Sequence, residues 1–187
     1  MKNSVGHSTK KVAFVAHCLV NQNAKVAEFA RLPGVVYPVV DLLRQAGYVI
    51  EQLPCPETLF MGLTRWWTTK EIYDNPGYRR HCASLAKFTA DVAERYHRAG
   101  YEIVLVGLDG SPSSGVRFTG SSEPVWGGRP NARLEEYRIV PGRGIWIEEL
   151  LRELDSRGIK VRATGIPMDS PDFDMDRSVE DLARFLK

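Results

Sequence analysis

Short apolar runs alternate along this chain with stretches of helical spacing. Residues 11–16 (KVAFVA) are apolar, rich in β-formers and followed by a polar loop over residues 17–33, the pattern of a buried strand. Val36, Val39, Val40, Leu43 and Ala46 then recur at helical spacing, and Gly47 supplies a stop. A second strand is predicted over residues 48–53, ended by Pro54 and Pro56, which cannot donate to a ladder. Residues 68–99 read as helix with one interruption at Asn75, Pro76 and Gly77, after which Tyr78, Cys82, Leu85, Thr89, Val92 and Tyr96 fall near one face. Residues 102–108 (EIVLVGL) form the most apolar strand candidate. A turn-rich loop over residues 109–115 follows it. Residues 145–156 predict an amphipathic helix, residues 160–164 a strand, and residues 178–186 a last helix with Ser178 as its N-cap.

Strands alternating with helices imply crossover connections and a mainly parallel sheet covered on both faces. The expected fold is therefore α/β: a three-layer α/β/α Rossmann-like sandwich with four or five strands. Residues 1–187 fit one domain of this type, with an irregular Gly/Pro/Arg-rich insertion around residues 116–143 that holds a possible short strand at 136–140. In such open sheets ligands bind beyond the carboxyl ends of the strands. Three loops leave those ends: from His17, from Pro54 and from Asp109.

Composition narrows the function classes. Lys and Arg number 25 against 23 Asp and Glu, a formal charge of +2, which argues against a dedicated nucleic-acid binder. No run approaches the ~18–20 apolar residues of a membrane span. The opening residues 1–11 are polar and lack the apolar core of a secretory signal, so a cytoplasmic protein is expected. Three cysteines are too few and too odd for a disulfide framework; in a reducing compartment they are more often free, metal-bound or catalytic. The dinucleotide fingerprint, the Walker A motif, the C-x-x-C pair and the G-x-S-x-G elbow are all missing from the sequence.

Cys18 lies just past the first predicted strand and Cys55 just past the second, so neighbouring parallel strands bring both thiols to one rim. Cys82, in mid-helix on the apolar face, reads as core. Glu57 shares the Cys55 loop and has two readings, a general base beside a thiolate or a first-turn acid favourable to a helix dipole. The loop of residues 109–115 (DGSPSSG) can present backbone N–H groups to an anion or cluster. His17 reads as a ligand, a base or a partly buried hydrogen-bonder. One of Trp66 and Trp67 is a candidate lid over a planar ligand, with core packing as the alternative. Arg129, Arg133, Arg138 and Arg143 offer a basic lip or, more simply, a solvated face.

Taken together, His17-Cys18-Leu19, Pro54-Cys55-Pro56-Glu57 and residues 109–115 resemble the signatures of the thiouracil desulfurase (TudS-like) family in order and spacing. Residues 142–150 (GRGIWIEEL) resemble its TudS-related desulfidase branch. The resemblance implies a desulfidase that takes sulfur from a thiolated pyrimidine or similar small molecule. It implies a [4Fe-4S] cluster held by one cysteine from each loop, with one iron left open for sulfur. Carried onto this chain, it places cluster ligands at Cys18 and Cys55, a catalytic acid/base at Glu57 and a supporting hydroxyl at Ser111. Where the family has its third cysteine, this sequence has Ser114. A hydroxyl is a harder and less acidic ligand than a thiol, so the cluster is expected to be labile or absent. Two other readings stand beside the enzyme: a cluster-free protein binding a small polar ligand in the same pocket, and a Zn²⁺ site from His17, Cys18 and Cys55.

Overall fold

The structure, a computed structural model, describes residues 10–122 and 137–187. Strand β1 (Lys11–Val15) runs into a helical turn α1 (His17–Val20), followed by two single 3₁₀ turns and helix α2 (Tyr37–Gln45). Next come β2 (Val49–Gln52), α3 (Pro56–Met61), α4 (Lys70–Tyr73) and the long α5 (Pro76–Arg98). The chain continues through β3 (Glu102–Leu108), β4 (Phe118–Ser121), β5 (Arg138–Pro141), α6 (Ile145–Ser156), β6 (Arg162–Ile166) and α7 (Met175–Phe185). No helix among the described residues is long and apolar enough to cross a membrane.

Four strands form one parallel sheet in the order β2-β1-β3-β6. Alternation along the central strands sends Val12, Phe14, Ile103 and Leu105 to one face, where α5 and α6 cover them. Ala13, Val15, Val104, Val106 and Leu108 go to the other, under α2 and α7. This is the three-layer sandwich expected of strands whose both faces are apolar. Strands β4 and β5 pair antiparallel as a separate two-stranded sheet and frame the insertion. Of the arginines in that insertion, Arg129 and Arg133 lie outside the described residues, while Arg138 and Arg143 are exposed.

Besides α3 and β4, which the apolar pattern does not predict, three elements depart from expectation. The last helix starts at Met175, and its N-cap is Asp174, whose carboxylate accepts from Arg177 N at 2.8 Å. Ser178 sits in the first turn and turns its hydroxyl back to Asp174 O. The earlier carboxylate meets the unpaired first-turn N–H groups before Ser178 can. The last strand lies two residues later than its apolar pattern suggests, because pairing with β3 sets Leu108 opposite Ile166. The first loop, read as a polar loop over residues 17–33, opens with α1, where the Asn21 N–H closes the turn on His17 O.

β1 lies between β2 and β3, so the chain reverses its direction of travel across the sheet there. The carboxyl ends of β1 and β3 open the crevice where such folds bind ligands. The loop leaving β3 is fixed by the buried Asp109 carboxylate, which accepts from Val116 N and Arg117 N, both at 2.9 Å, and from Arg117 Nε at 2.8 Å. That fold-back lets Leu108 N donate to Ser114 O at 3.0 Å. The start of α6 closes over it, with Ile145 N donating to Pro112 O and Ile147 N to Ser113 O. Gly144 permits this approach, since a Cβ there would lie 2.3 Å from the Ser113 backbone.

Asp109→Asn keeps the shape but turns an amide toward donors that need an anion. It should cost about 2–4 kcal/mol of unfolding free energy. Urea unfolding checks this through a lower midpoint at unchanged slope.

Candidate active site

Beyond the strand ends, one cavity is bordered by Cys18, Cys55, Glu57, Ser111, Ser113 and Ser114. All three post-strand loops therefore converge as the sequence pattern predicts. Cys18 enters from α1, just past β1. Cys55 is the N-cap of α3, its Sγ accepting from Thr58 N at 3.4 Å. Pro56 at the first helical position pre-sets the turn that begins α3 and puts Glu57 in its first turn.

Glu57 takes the first-turn position that one of its two sequence readings gives it. It is a first-turn acid, and its carboxylate lies at the cavity, where Ser113 Oγ donates to Oε1 at 2.5 Å and Arg65 Nε to Oε2 at 3.1 Å. The buried Tyr73 phenol also hydrogen-bonds this carboxylate. Ser111 stands one step back. Its Oγ accepts from Ser114 N at 3.0 Å and lies 3.3 Å from Ser113 Oγ, so Ser113 is the residue that reaches the carboxylate. Ser114 Oγ is 3.4 Å from the same Ser113 hydroxyl.

Sequence reasoning missed four contributors. Arg65 binds Glu57 while its Nη2 donates to Ala24 O at 2.7 Å, tying the second loop to the first. Ser113 was passed over in favour of its neighbour Ser111. Lys25 and Asp169 form an ion pair on the cavity wall, their side chains only 6% and 5% exposed. Asp169 lies in the loop after β6, a fourth post-strand loop at the rim that the three-loop reading leaves out.

Other candidates separate clearly. Trp67 borders the cavity, its ring edge-on to Tyr137 at 5.7 Å, while Trp66 is 60% exposed. Cys82 is fully buried in the core beneath α5. His17 is hydrogen-bonded through Nδ1 to Gln52 Nε2 at 2.9 Å and does not border the cavity. Among the described residues no three His, Cys, Asp or Glu side chains gather as a metal site, so the His17, Cys18 and Cys55 zinc arrangement is not formed.

Burial pushes the Cys18 thiol up to about 12, against the pull of the Lys25 ammonium. Burial, and after it the Glu57 charge, also raises Cys55. Burial raises the Asp169 carboxyl, opposed by Lys25, and lowers His17. Both cavity thiols are therefore neutral near pH 7 and become thiolates only with a cation that displaces their protons.

Residues 18–140 match the model of the family described as "Putative 2-thiouracil desulfurase". The chain belongs to that family. The matched span contains Cys18, Cys55, Glu57 and the serine loop, but not Asp169. An uncharacterized protein of Methanocaldococcus jannaschii is 29% identical over 95% of this chain and 98% of its own length. No solved structure matches the chain.

The donor set can be judged against the [4Fe-4S] cluster that the desulfurase resemblance implies. Cys18, Cys55 and Ser114 border one cavity from three strand ends, so each loop offers one donor. Two of these are soft thiols, which iron–sulfur clusters favour, and the third is a hard hydroxyl. Such a set could hold a cluster through two strong donors and one weak one.

The neutral thiols give a direct check. In metal-free protein at pH 8, Cys18 and Cys55 should react with iodoacetamide at least ~10-fold more slowly than free cysteine, since the thiolate is the nucleophile. Site-resolved mass spectrometry measures both rates.

Proposed function

We propose that this protein is a desulfidase that replaces the sulfur of a cyclic thioamide of the thiopyrimidine class with oxygen from water. The balance is simple: the thiocarbonyl and water give a carbonyl and hydrogen sulfide, with no oxidant or reductant consumed. The observation that carries the reading is a hydrogen-bonded carboxylate, Glu57, bordering the same cavity as two thiols. Membership of a family named for thiouracil desulfuration supports it.

Cys18, Cys55 and Ser114 would hold the [4Fe-4S] cluster, which when bound supplies a Lewis-acidic iron for a soft sulfur. Glu57 takes a proton from the attacking water, and the resulting carboxylic acid returns it to the departing sulfur. Ser113 and Arg65 fix both carboxylate oxygens, so the base is oriented before substrate arrives. Trp67 narrows the cavity and offers a ring against a planar heterocycle. Ser111, bonded to the amides of Ser113 and Ser114, sets the positions of both hydroxyls. The substrate is a small molecule.

Three variants test these roles after anaerobic reconstitution. Glu57→Gln should lower kcat for 2-thiouracil by about 100-fold or more, because it removes the general base. It should leave iron and sulfide content unchanged. Ser114→Cys should raise bound iron and sulfide per chain and strengthen the thiolate-to-iron absorption. Failure of both wild type and Ser114→Cys to take up a cluster would defeat the cluster assignment. If metal-free protein binds thiouracil tightly, and Cys18→Ala leaves that binding unchanged, the chain is a cluster-free binding protein.

A further inference from the structure

The cavity holds a second buried ion pair for which the desulfurase chemistry above has no use. Lys25 and Asp169 approach from opposite ends of the chain, and both side chains are more than nine-tenths buried on the wall shared with Cys18. Such a pair is a poor way to stabilise a fold. Removing two charges from water costs several kcal/mol per ion, and apolar replacements of similar volume are often neutral or stabilising.

The pair also leaves hydrogen-bonding capacity unused. Lys25 Nζ has three donors and binds Asp169 Oδ1. Among the described residues, no other hydrogen bond is made by Lys25 Nζ, and none by Asp169 Oδ2. A donor and an acceptor therefore stand side by side, both nearly dry. Flat apolar surface lies close by: the Lys25 ammonium is 5.9 Å from the Phe29 ring, which lies 5.1 Å from the Tyr137 ring. An adjacent donor and acceptor beside aromatic walls complement a planar ring whose edge carries a carbonyl next to an N–H.

We propose that Lys25 and Asp169 determine substrate specificity by reading the amide edge of the heterocycle, Lys25 donating to its ring carbonyl oxygen and Asp169 accepting from the neighbouring ring N–H. This rests on the desulfidase reading of the same cavity and extends it. The class becomes N-unsubstituted cyclic thioamides that keep a carbonyl beside the N–H. Open-chain thiols and N-alkylated rings are excluded. A ring N–H left without an acceptor, or an acceptor left without its N–H, carries the desolvation penalty of a buried polar group.

The test compares equilibrium binding of 2-thiouracil and 1,3-dimethyl-2-thiouracil by the full chain, using calorimetry. Wild type should prefer the unsubstituted ring by about 10-fold or more. The apolar double variant Lys25→Met/Asp169→Leu should stay folded, with a similar melting temperature, and prefer it by less than about 3-fold. Asp169→Asn, which nearly conserves shape, should also lose most of the preference, and it decides the matter if the double variant does not fold. A preference that persists in the folded double variant or in Asp169→Asn overturns the inference and leaves the desulfidase reading standing. Equal wild-type affinity for both probes does the same. Binding of neither probe by wild type overturns both.

Discussion

The site depends first on one buried carboxylate. Asp109 ends the central strand β3 and gathers the amides of Val116 and Arg117 together with the Arg117 guanidinium, bending the chain back on itself. The bend is tight enough that glycines must line it. A Cβ at Gly165 would meet the Asp109 carboxylate at 2.1 Å, and one at Gly107 would meet Ser114 O at 2.4 Å. What the bend delivers is a short serine-rich segment, locked from beneath by Ser111 and from the side by the first turn of α6. Ser113 then faces Glu57 and Ser114 faces the cavity. The loop that borders the cavity is thus held by hydrogen bonds along its length.

Charge in the cavity is organised in pairs and the sulfur in neutral form. Glu57 with Arg65 and Lys25 with Asp169 border it as two ion pairs. The thiols beside them are protonated because burial penalises the thiolate, at Cys18 more than Lys25 favours it and at Cys55 together with the Glu57 charge. A cluster or a soft metal would invert this state by displacing the protons. In the metal-free protein both thiols are therefore weak nucleophiles.

Much of the fold was legible in the sequence. Residues 11–15, 102–108 and 145–156 announced themselves because strands buried on both faces and an amphipathic helix leave strong apolar patterns. The convergence of Cys18, Cys55 and the 109–115 loop was legible because parallel strands carry their ends to one rim. What stayed hidden depended on tertiary choices. The register of β6 follows from its pairing with β3 and not from its own polarity, and Asp169 in the loop behind it gains meaning only through its buried pair with Lys25. Arg65 and Lys25 look like ordinary surface cations in sequence, and burial becomes visible only when loops distant in the chain close over them. Ser111, Ser113 and Ser114 are chemically alike, and only the fold-back of the loop decides which one meets the carboxylate.

The central claim is that oxygen from water takes the place of sulfur at a carbon held beside Glu57. It is tested most directly by turnover of 2-thiouracil in water enriched in oxygen-18, with mass spectrometry of the product and a sulfide assay on the same sample. Uracil bearing a single heavy oxygen, with sulfide released in equal amount and both lost in Glu57→Gln, is the predicted result. Thiouracil recovered intact from cluster-loaded protein, or uracil formed without the heavy isotope, would contradict it.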